Sequence, residues 1–163
     1  MTTPLQPDEK HALLIGKIVS NLLSLEFLLR AIQAKTEADA APPGTFKHNL
    51  SGLKVGDSVP VDALTNYDQL RDLIRKHNVQ ARAGEEVPED IVKLRDALAH
   101  GRVSTTDPAK PLELVKFGPD KGKKGFVDVV IVETMTESWL DAQKERTKEA
   151  INRALTCARR LRI

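Results

Sequence analysis

The residues best suited to chemistry in this 163-residue sequence lie in the segment 95–100, which reads RDALAH. A histidine gains or loses a proton near neutral pH, and an arginine forms paired hydrogen bonds with carboxylates and phosphates. On a helix, Asp96 and His100 are one turn apart, so the carboxylate can orient the imidazole and favour its charged form. Arg95, Asp96 and His100 are therefore the candidate catalytic residues.

The spacing also predicts that one copy of the chain is not sufficient. Arg95 and His100 are separated by about 140° around a helix, so their head groups diverge. A two-fold axis through the side formed by Val92 and Ala99, whose side chains are small, would bring two arginines and two histidines to one cleft. We therefore expect a homodimer.

Glu26 is the candidate supporting residue. It interrupts the apolar face of a long helix, and a buried carboxylate is costly unless a cation pairs with it. Arg95 is the expected cation, and the pairing would fix its guanidinium near the cleft. The alternative is that Glu26 faces solvent.

The elements that position these residues follow from hydrophobic periodicity and from helix start and stop signals. We predict a single domain over residues 1–163, mainly α, in which an up-and-down bundle of about four helices carries a β-hairpin before the last helix. The predicted elements are a helix over 8–39, an irregular connection over 39–61, a helix over 62–80 that starts at Asp62, a motif helix over 88–100 that ends at Gly101, a hairpin region over 102–133 with strands at 112–117 and 126–133, and a last helix to about 161 with a capping box of Thr134 and Glu137.

The motif helix resembles that of the HEPN superfamily (higher eukaryotes and prokaryotes nucleotide-binding). That motif is an arginine and a histidine with four to six residues between them, the first of which is usually polar; compact prokaryotic members read R-N-x-L-A-H-G. The long first helix with an embedded acid and the closing helix are also similar. The sequence departs from the pattern at Asp96, where asparagine is commonest, and in its predicted hairpin.

The resemblance implies a homodimer with a metal-independent endoribonuclease site, in a toxin, phage-defence or RNA-processing setting, and with a neutralising protein as a further expected partner. His100 would exchange protons with a ribose 2′-hydroxyl and a leaving 5′-oxygen, and Arg95 would stabilise charge on the phosphate. Two alternatives stay open: a non-catalytic helical dimer acting as an adaptor or antitoxin-like partner, and a nucleotide- or phosphate-binding module.

Amino-acid composition does not by itself choose among the endoribonuclease, the adaptor and the nucleotide-binding module. The net charge is +2, from 25 basic and 23 acidic residues, which is too small to indicate nucleic-acid or membrane binding by itself. The candidate RNA-binding residues are Lys121, Lys123 and Lys124. Near the C-terminus Arg153, Arg159, Arg160 and Arg162 could also contact phosphates, and the alternative for all of these cations is a solvated surface. No Cys/His cluster or paired-carboxylate motif has metal-ligand spacing, so neither a metal nor a cofactor is expected.

The same sequence predicts a cytoplasmic location. The N-terminus lacks the layout of a signal peptide, and the lone Cys157 lies on an apolar helical arc, where it is expected to belong to the core. The apolar stretch 13–29 is interrupted by polar residues, so no membrane anchor is expected.

Overall fold

The computed structural model describes residues 7–40, 53–59, 61–105, 107, 110–119 and 126–163. In these residues the chain forms four helices and three strands, in the order α1 (Pro7–Ala40), α2 (Leu70–Gln80), α3 (Ile91–His100), β1 (Arg102–Ser104), β2 (Leu112–Phe117), β3 (Val129–Met135) and α4 (Glu137–Leu161). The predicted fold class, mainly helical with a hairpin before the last helix, is confirmed. Most of the predicted connection over 39–61, and all three candidate RNA-binding lysines, lie outside the described residues.

The hairpin is part of a three-stranded antiparallel sheet in the order β1-β2-β3. Strands β2 and β3 pair from Leu112 opposite Met135 onward, with an irregularity between Lys116 and Phe117. Strand β1 was not predicted from the sequence; it pairs with β2 through only three residues. A strand this short shows too little alternation to be recognised from its pattern.

The chain divides into two compact units, and α1 and α4 each contribute residues to both. The first unit comprises Met1–Leu22 and Asp90–Glu149. Its buried apolar residues come from α1, α3, β2, the end of β3 and α4: Leu14, Ile18, Leu22, Ile91, Val92, Leu94, Ala97, Leu114, Met135 and Leu140. The polar Asn21, on the apolar side of α1, donates a hydrogen bond to Thr147 Oγ1 at 3.0 Å, which satisfies its amide within this unit.

The second unit comprises Leu23–Glu89 and Ala150–Ile163. Most of its buried apolar residues lie on the second half of α1, on α2 and on the end of α4, and Ala63 and Val87 add to them from the connecting segments: Leu25, Leu29, Ile32, Leu70, Leu73, Ile74, Ala150, Ala154, Cys157 and Ala158. The expected burial of Cys157 is confirmed, and burial raises the pKa of its thiol.

The predicted start of the second helix at Asp62 is wrong, because α2 begins at Leu70. Asp62 is buried and accepts hydrogen bonds from the backbone N–H groups of Leu64 and Thr65, at 2.8 and 3.1 Å. This side chain therefore closes a local turn instead of capping a helix, which is the common alternative use of an aspartate.

The predicted capping box of α4 is also displaced. Thr134 lies in β3 opposite Glu113, and the residue that caps α4 is Thr136, whose Oγ1 accepts a hydrogen bond from Trp139 N at 3.1 Å. The strand extends two residues further than predicted because its pairing with β2 continues to Met135. The hydroxyl two residues later then satisfies the first turn of the helix.

By length and composition alone, α1 is long and apolar enough to cross a membrane. In its most apolar stretch of 18 residues, 28% is buried. This differs from the expectation that polar residues leave the segment short of a span. The core helix of a water-soluble protein passes the same test.

Candidate functional site

Helix α3 positions the candidate residues, and its buried side fixes it in the first unit. Ile91, Val92, Leu94 and Ala97 are all at most 6% exposed. The helix ends at Gly101, whose N–H donates to Ala97 O at 2.8 Å, and β1 follows at once. The catalytic candidates thus lie on a short helix held by its apolar side and continued directly into a strand.

Gly101 is required by close approach rather than by backbone conformation. Its φ of −77° is open to any residue, which differs from the left-handed glycine that commonly ends a helix. A Cβ at this position would lie 2.4 Å from Ala97 O and 2.7 Å from Leu114 Cδ1. Only glycine lets β2 lie this close to the end of α3.

The guanidinium of Arg95 is held beside a carboxylate and near a second cation. Arg95 Nη1 donates to Asp96 Oδ1 at 2.9 Å, and Lys116 Nζ on β2 lies 3.9 Å from Asp96 Oδ2. All three side chains are between 21% and 31% exposed. The result is a partly buried cluster with a net charge of +1. Lys116 was missed by the sequence analysis, because only strand register brings it next to α3.

His100 is exposed at the last position of α3. Within the described part of the chain, its imidazole makes no hydrogen bond, and its main-chain carbonyl accepts a long contact from Arg102 Nη1 at 3.4 Å. The prediction that Asp96 orients His100 is therefore wrong for this structure, because the carboxylate is engaged by Arg95 and Lys116. Helical spacing permits a hydrogen bond between Asp96 and His100. In this structure, however, Arg95 binds one carboxylate oxygen of Asp96 and Lys116 lies near the other.

The predicted two-fold face through Val92 and Ala99 is only half available. Val92 is 5% exposed, so it belongs to the core, whereas Ala99 is exposed. Of the two residues of that predicted face, only Ala99 is therefore open to a second copy, and the exposed His100 follows it in the same turn.

Glu26 has a different cation from the expected one. Arg30, one turn further along α1, donates from Nη2 to Glu26 Oε1 at 3.0 Å and to Asp68 O at 2.7 Å. It also donates from Nη1 to Asn66 O at 3.0 Å and to Ala63 O at 3.3 Å. Glu26 thus orients an arginine that fixes the segment before α2, and the prediction of an Arg95 pairing is wrong. The i, i+4 spacing of Glu26 and Arg30 was the available signal.

Among the C-terminal arginines, Arg160 is committed to an internal partner. It donates from Nε and Nη2 to the two carboxylate oxygens of Glu85, at 2.8 and 2.7 Å. Glu85 is 4% exposed, and the Arg160 guanidinium lowers its pKa to about 2. This pair stabilises the second unit and is not available to bind a phosphate.

Over the part of the chain that the structure covers, no group of three or more histidine, cysteine, aspartate or glutamate side chains is placed to hold a metal ion. In comparisons with known proteins, no family model, no curated protein and no solved structure matches the chain. The assignment of a function therefore rests on the residues of this chain.

Proposed function

We propose that the chain is a metal-independent endoribonuclease of HEPN type that acts as a homodimer. The observation that supports this most directly is the exposed His100, with no hydrogen bond to its imidazole in the described residues, at the fixed end of the helix that also carries Arg95. A base that must reach a substrate proton has to be accessible and able to approach within hydrogen-bond distance.

The proposed reaction is an internal transesterification of RNA. His100 takes the proton from a ribose 2′-hydroxyl, the 2′-oxygen forms a new bond to the adjacent phosphorus, and the bond from phosphorus to the 5′-oxygen breaks. The second His100 of the dimer protonates that leaving oxygen, so the products are a 2′,3′-cyclic phosphate and a 5′-hydroxyl. Arg95 stabilises the charge that develops on the phosphate. DNA lacks the attacking hydroxyl and is expected to resist.

Asp96 takes a positioning role in this proposal. Its carboxylate holds the Arg95 guanidinium at 2.9 Å and lies near Lys116. The cluster keeps one positive charge in excess, which favours approach of a phosphate. Because Arg95 and His100 project about 140° apart on α3, the active arrangement combines Arg95 and His100 from two copies.

The test is cleavage of a mixed-sequence RNA by purified protein in excess chelator. We expect cyclic-phosphate ends, loss of at least 100-fold in rate for His100→Ala and for Arg95→Ala, and no change for Arg71→Ala. Arg71 is an exposed residue on α2 and serves as the matched arginine control. Equal cleavage by wild type and His100→Ala would contradict the proposal, as would dependence of cleavage on a divalent metal.

A second candidate, the non-catalytic dimer, has its own supporting observation. In the second unit an open apolar groove of about 460 Å³ lies between α1 and α4 and is lined by Leu23, Ser24, Phe27, Leu28, Ile151 and Leu155. Leu23 and Phe27 are 64% and 58% exposed. Exposed clustered apolar side chains commonly mark interaction surfaces. In this second candidate the groove is the dimer interface, and a second copy of the chain covers it about a two-fold axis.

The oligomeric state is measured by analytical ultracentrifugation. If the copies pair through the groove, wild type sediments as a dimer, Phe27→Asp as a monomer and Val79→Asp as a dimer; the dimer paired through α3 in the endoribonuclease proposal would persist in Phe27→Asp. Val79 is 89% exposed on α2, does not line the groove, and controls for adding a charge. Dimerisation of Phe27→Asp with wild-type affinity would contradict the groove assignment.

The cellular location, the biological role and the protein partner are also part of the proposal. A cytoplasmic location, a toxin or phage-defence role and a neutralising protein partner follow from the resemblance of the motif helix to HEPN proteins. A dimer that binds RNA without cleaving it would favour the adaptor or nucleotide-binding alternatives.

A further inference from the structure

The first unit contains a cavity that the proposed chemistry does not use. It has a volume of about 240 Å³ and lies between α3, the sheet and α4. Leu94, Ala97, Leu114 and Ile131 supply its apolar side chains. For scale, an apolar cavity of about 150 Å³ can accept a benzene ring. The space is therefore sufficient for a flat heteroaromatic ring system.

Polar side chains of both charges line the same cavity. Arg146 is already engaged, since its Nη2 lies 2.6 Å from Asp90 Oδ2 and its Nη1 donates to Gln143. In contrast, the Lys93 ammonium, the Glu133 carboxylate and the Trp139 indole N–H make no hydrogen bond or ion pair in the described residues. One cationic donor, one anionic acceptor and one aromatic ring are thus left for a ligand.

The cavity lies on the same side of α3 as His100. Lys93 and His100 are seven residues apart, so they lie within about 20° of each other around the helix and about 10 Å apart along it. Ala97, on the cavity wall, is only about 4.5 Å along the axis from His100. Helical side chains also lean toward the N-terminus, which inclines His100 toward the cavity.

We propose that this cavity binds one base of the substrate RNA, and that the base is guanine; this inference rests on the proposed function. Trp139 offers the aromatic surface on which RNA bases commonly stack. Glu133 accepts hydrogen bonds from the N1–H and N2–H groups of guanine, and Lys93 donates to its O6 and N7 atoms. Guanine combines adjacent donors for a carboxylate with adjacent acceptors for an ammonium. Adenine presents only one amino group to the carboxylate.

Trp139 is the only tryptophan of the chain, so its fluorescence reports directly on this cavity. The experiment titrates the full-length protein with guanosine, adenosine, cytidine and uridine 3′-monophosphates, with excitation at the red edge of the tryptophan band. We expect saturable quenching, with guanosine monophosphate binding on the order of 10-fold more tightly than the others. Absence of saturable quenching, or equal affinity for all four nucleotides, would overturn the inference.

Substitutions of cavity-lining residues test which side chains bind the nucleotide. Glu133→Gln is expected to weaken guanosine monophosphate binding on the order of 10-fold and to remove the preference for guanine. Lys93→Met, an exposed change on α3, is expected to weaken binding without removing Glu133. The control is Glu113→Gln, an exposed carboxylate of β2 that does not line the cavity. Unchanged binding in both Glu133→Gln and Lys93→Met would refute the base assignment.

The same proteins separate this inference from the proposed function. If His100→Ala abolishes cleavage but retains guanine-selective quenching, both stand. If His100 is needed for cleavage and no nucleotide quenches Trp139, the nuclease stands and the base site is refuted. If guanine binds selectively and wild type cleaves no RNA, the cavity assignment stands and the nuclease is refuted.

Discussion

Acid should weaken the second unit through one buried carboxylate, Glu85. Its two oxygens accept hydrogen bonds from Arg160 at 2.8 and 2.7 Å, and Oε2 also accepts one from Arg82 N at 2.9 Å. These contacts hold the pKa of Glu85 at about 2, below its ordinary value of 4.5. A difference of this size corresponds to about 3 kcal/mol of stability.

The sign follows from the lowered pKa in the folded state. The unfolded chain binds the proton first, so the carboxylate contributes fully above pH 4.5, and its contribution falls as the pH decreases toward 2. Glu85→Gln removes the charge at every pH. We therefore expect this variant to be about 3 kcal/mol less stable than wild type at pH 7, and the difference to shrink by about 1.4 kcal/mol per pH unit between pH 4.5 and 2.

Urea denaturation followed by circular dichroism across this pH range measures both quantities. The control is Glu89→Gln in the same unit, which removes an ion pair with Arg75 whose side chains are 51% and 58% exposed. Exposed pairs contribute at most about 1 kcal/mol, and we expect a small, nearly pH-independent effect. A loss below 1 kcal/mol for Glu85→Gln at pH 7, or a loss that does not change with pH, would refute the reasoning.

Three further predictions concern single positions. Gly101→Ala should lower the free energy of unfolding by about 1 to 3 kcal/mol, because its Cβ meets Ala97 O and Leu114, whereas Gly16→Ala should be neutral or stabilising because a Cβ there meets nothing within 4 Å; thermal melts of both variants check this, and equal effects would contradict it. Thr136→Ala should cost about 1 kcal/mol by removing the α4 cap, and urea midpoints should show a smaller loss for Thr134→Ala. Cys157 should react with a thiol reagent only on unfolding, because it is fully buried and its pKa is raised by burial; rapid labelling of the native protein would show that this end of α4 opens.

Much of the fold was predictable from local patterns. The observed bounds of α1 and the end of α4 agree with the sequence analysis, and β2 has its predicted bounds. Each of these segments has a repeating apolar pattern that its own residues display. The predicted start of α2 and the predicted cap of α4 were wrong, whereas α2 ends at Gln80 as predicted. At both sites a polar side chain can either cap a helix or belong to another local structure, a turn for Asp62 and a strand for Thr134. The local sequence does not determine which of the two forms.

The candidate site was predictable only in part. The sequence determined that Arg95, Asp96 and His100 share one helix and that Gly101 ends it. Tertiary structure decided the partners: Lys116 approaches Asp96 from a strand, Glu85 pairs with Arg160 across 75 residues, and Trp139 lines a cavity with Lys93. Helical periodicity depends on neighbours along the chain, whereas ion pairs and cavities depend on how distant segments approach each other. That is why the motif could be read from the sequence and its surroundings could not.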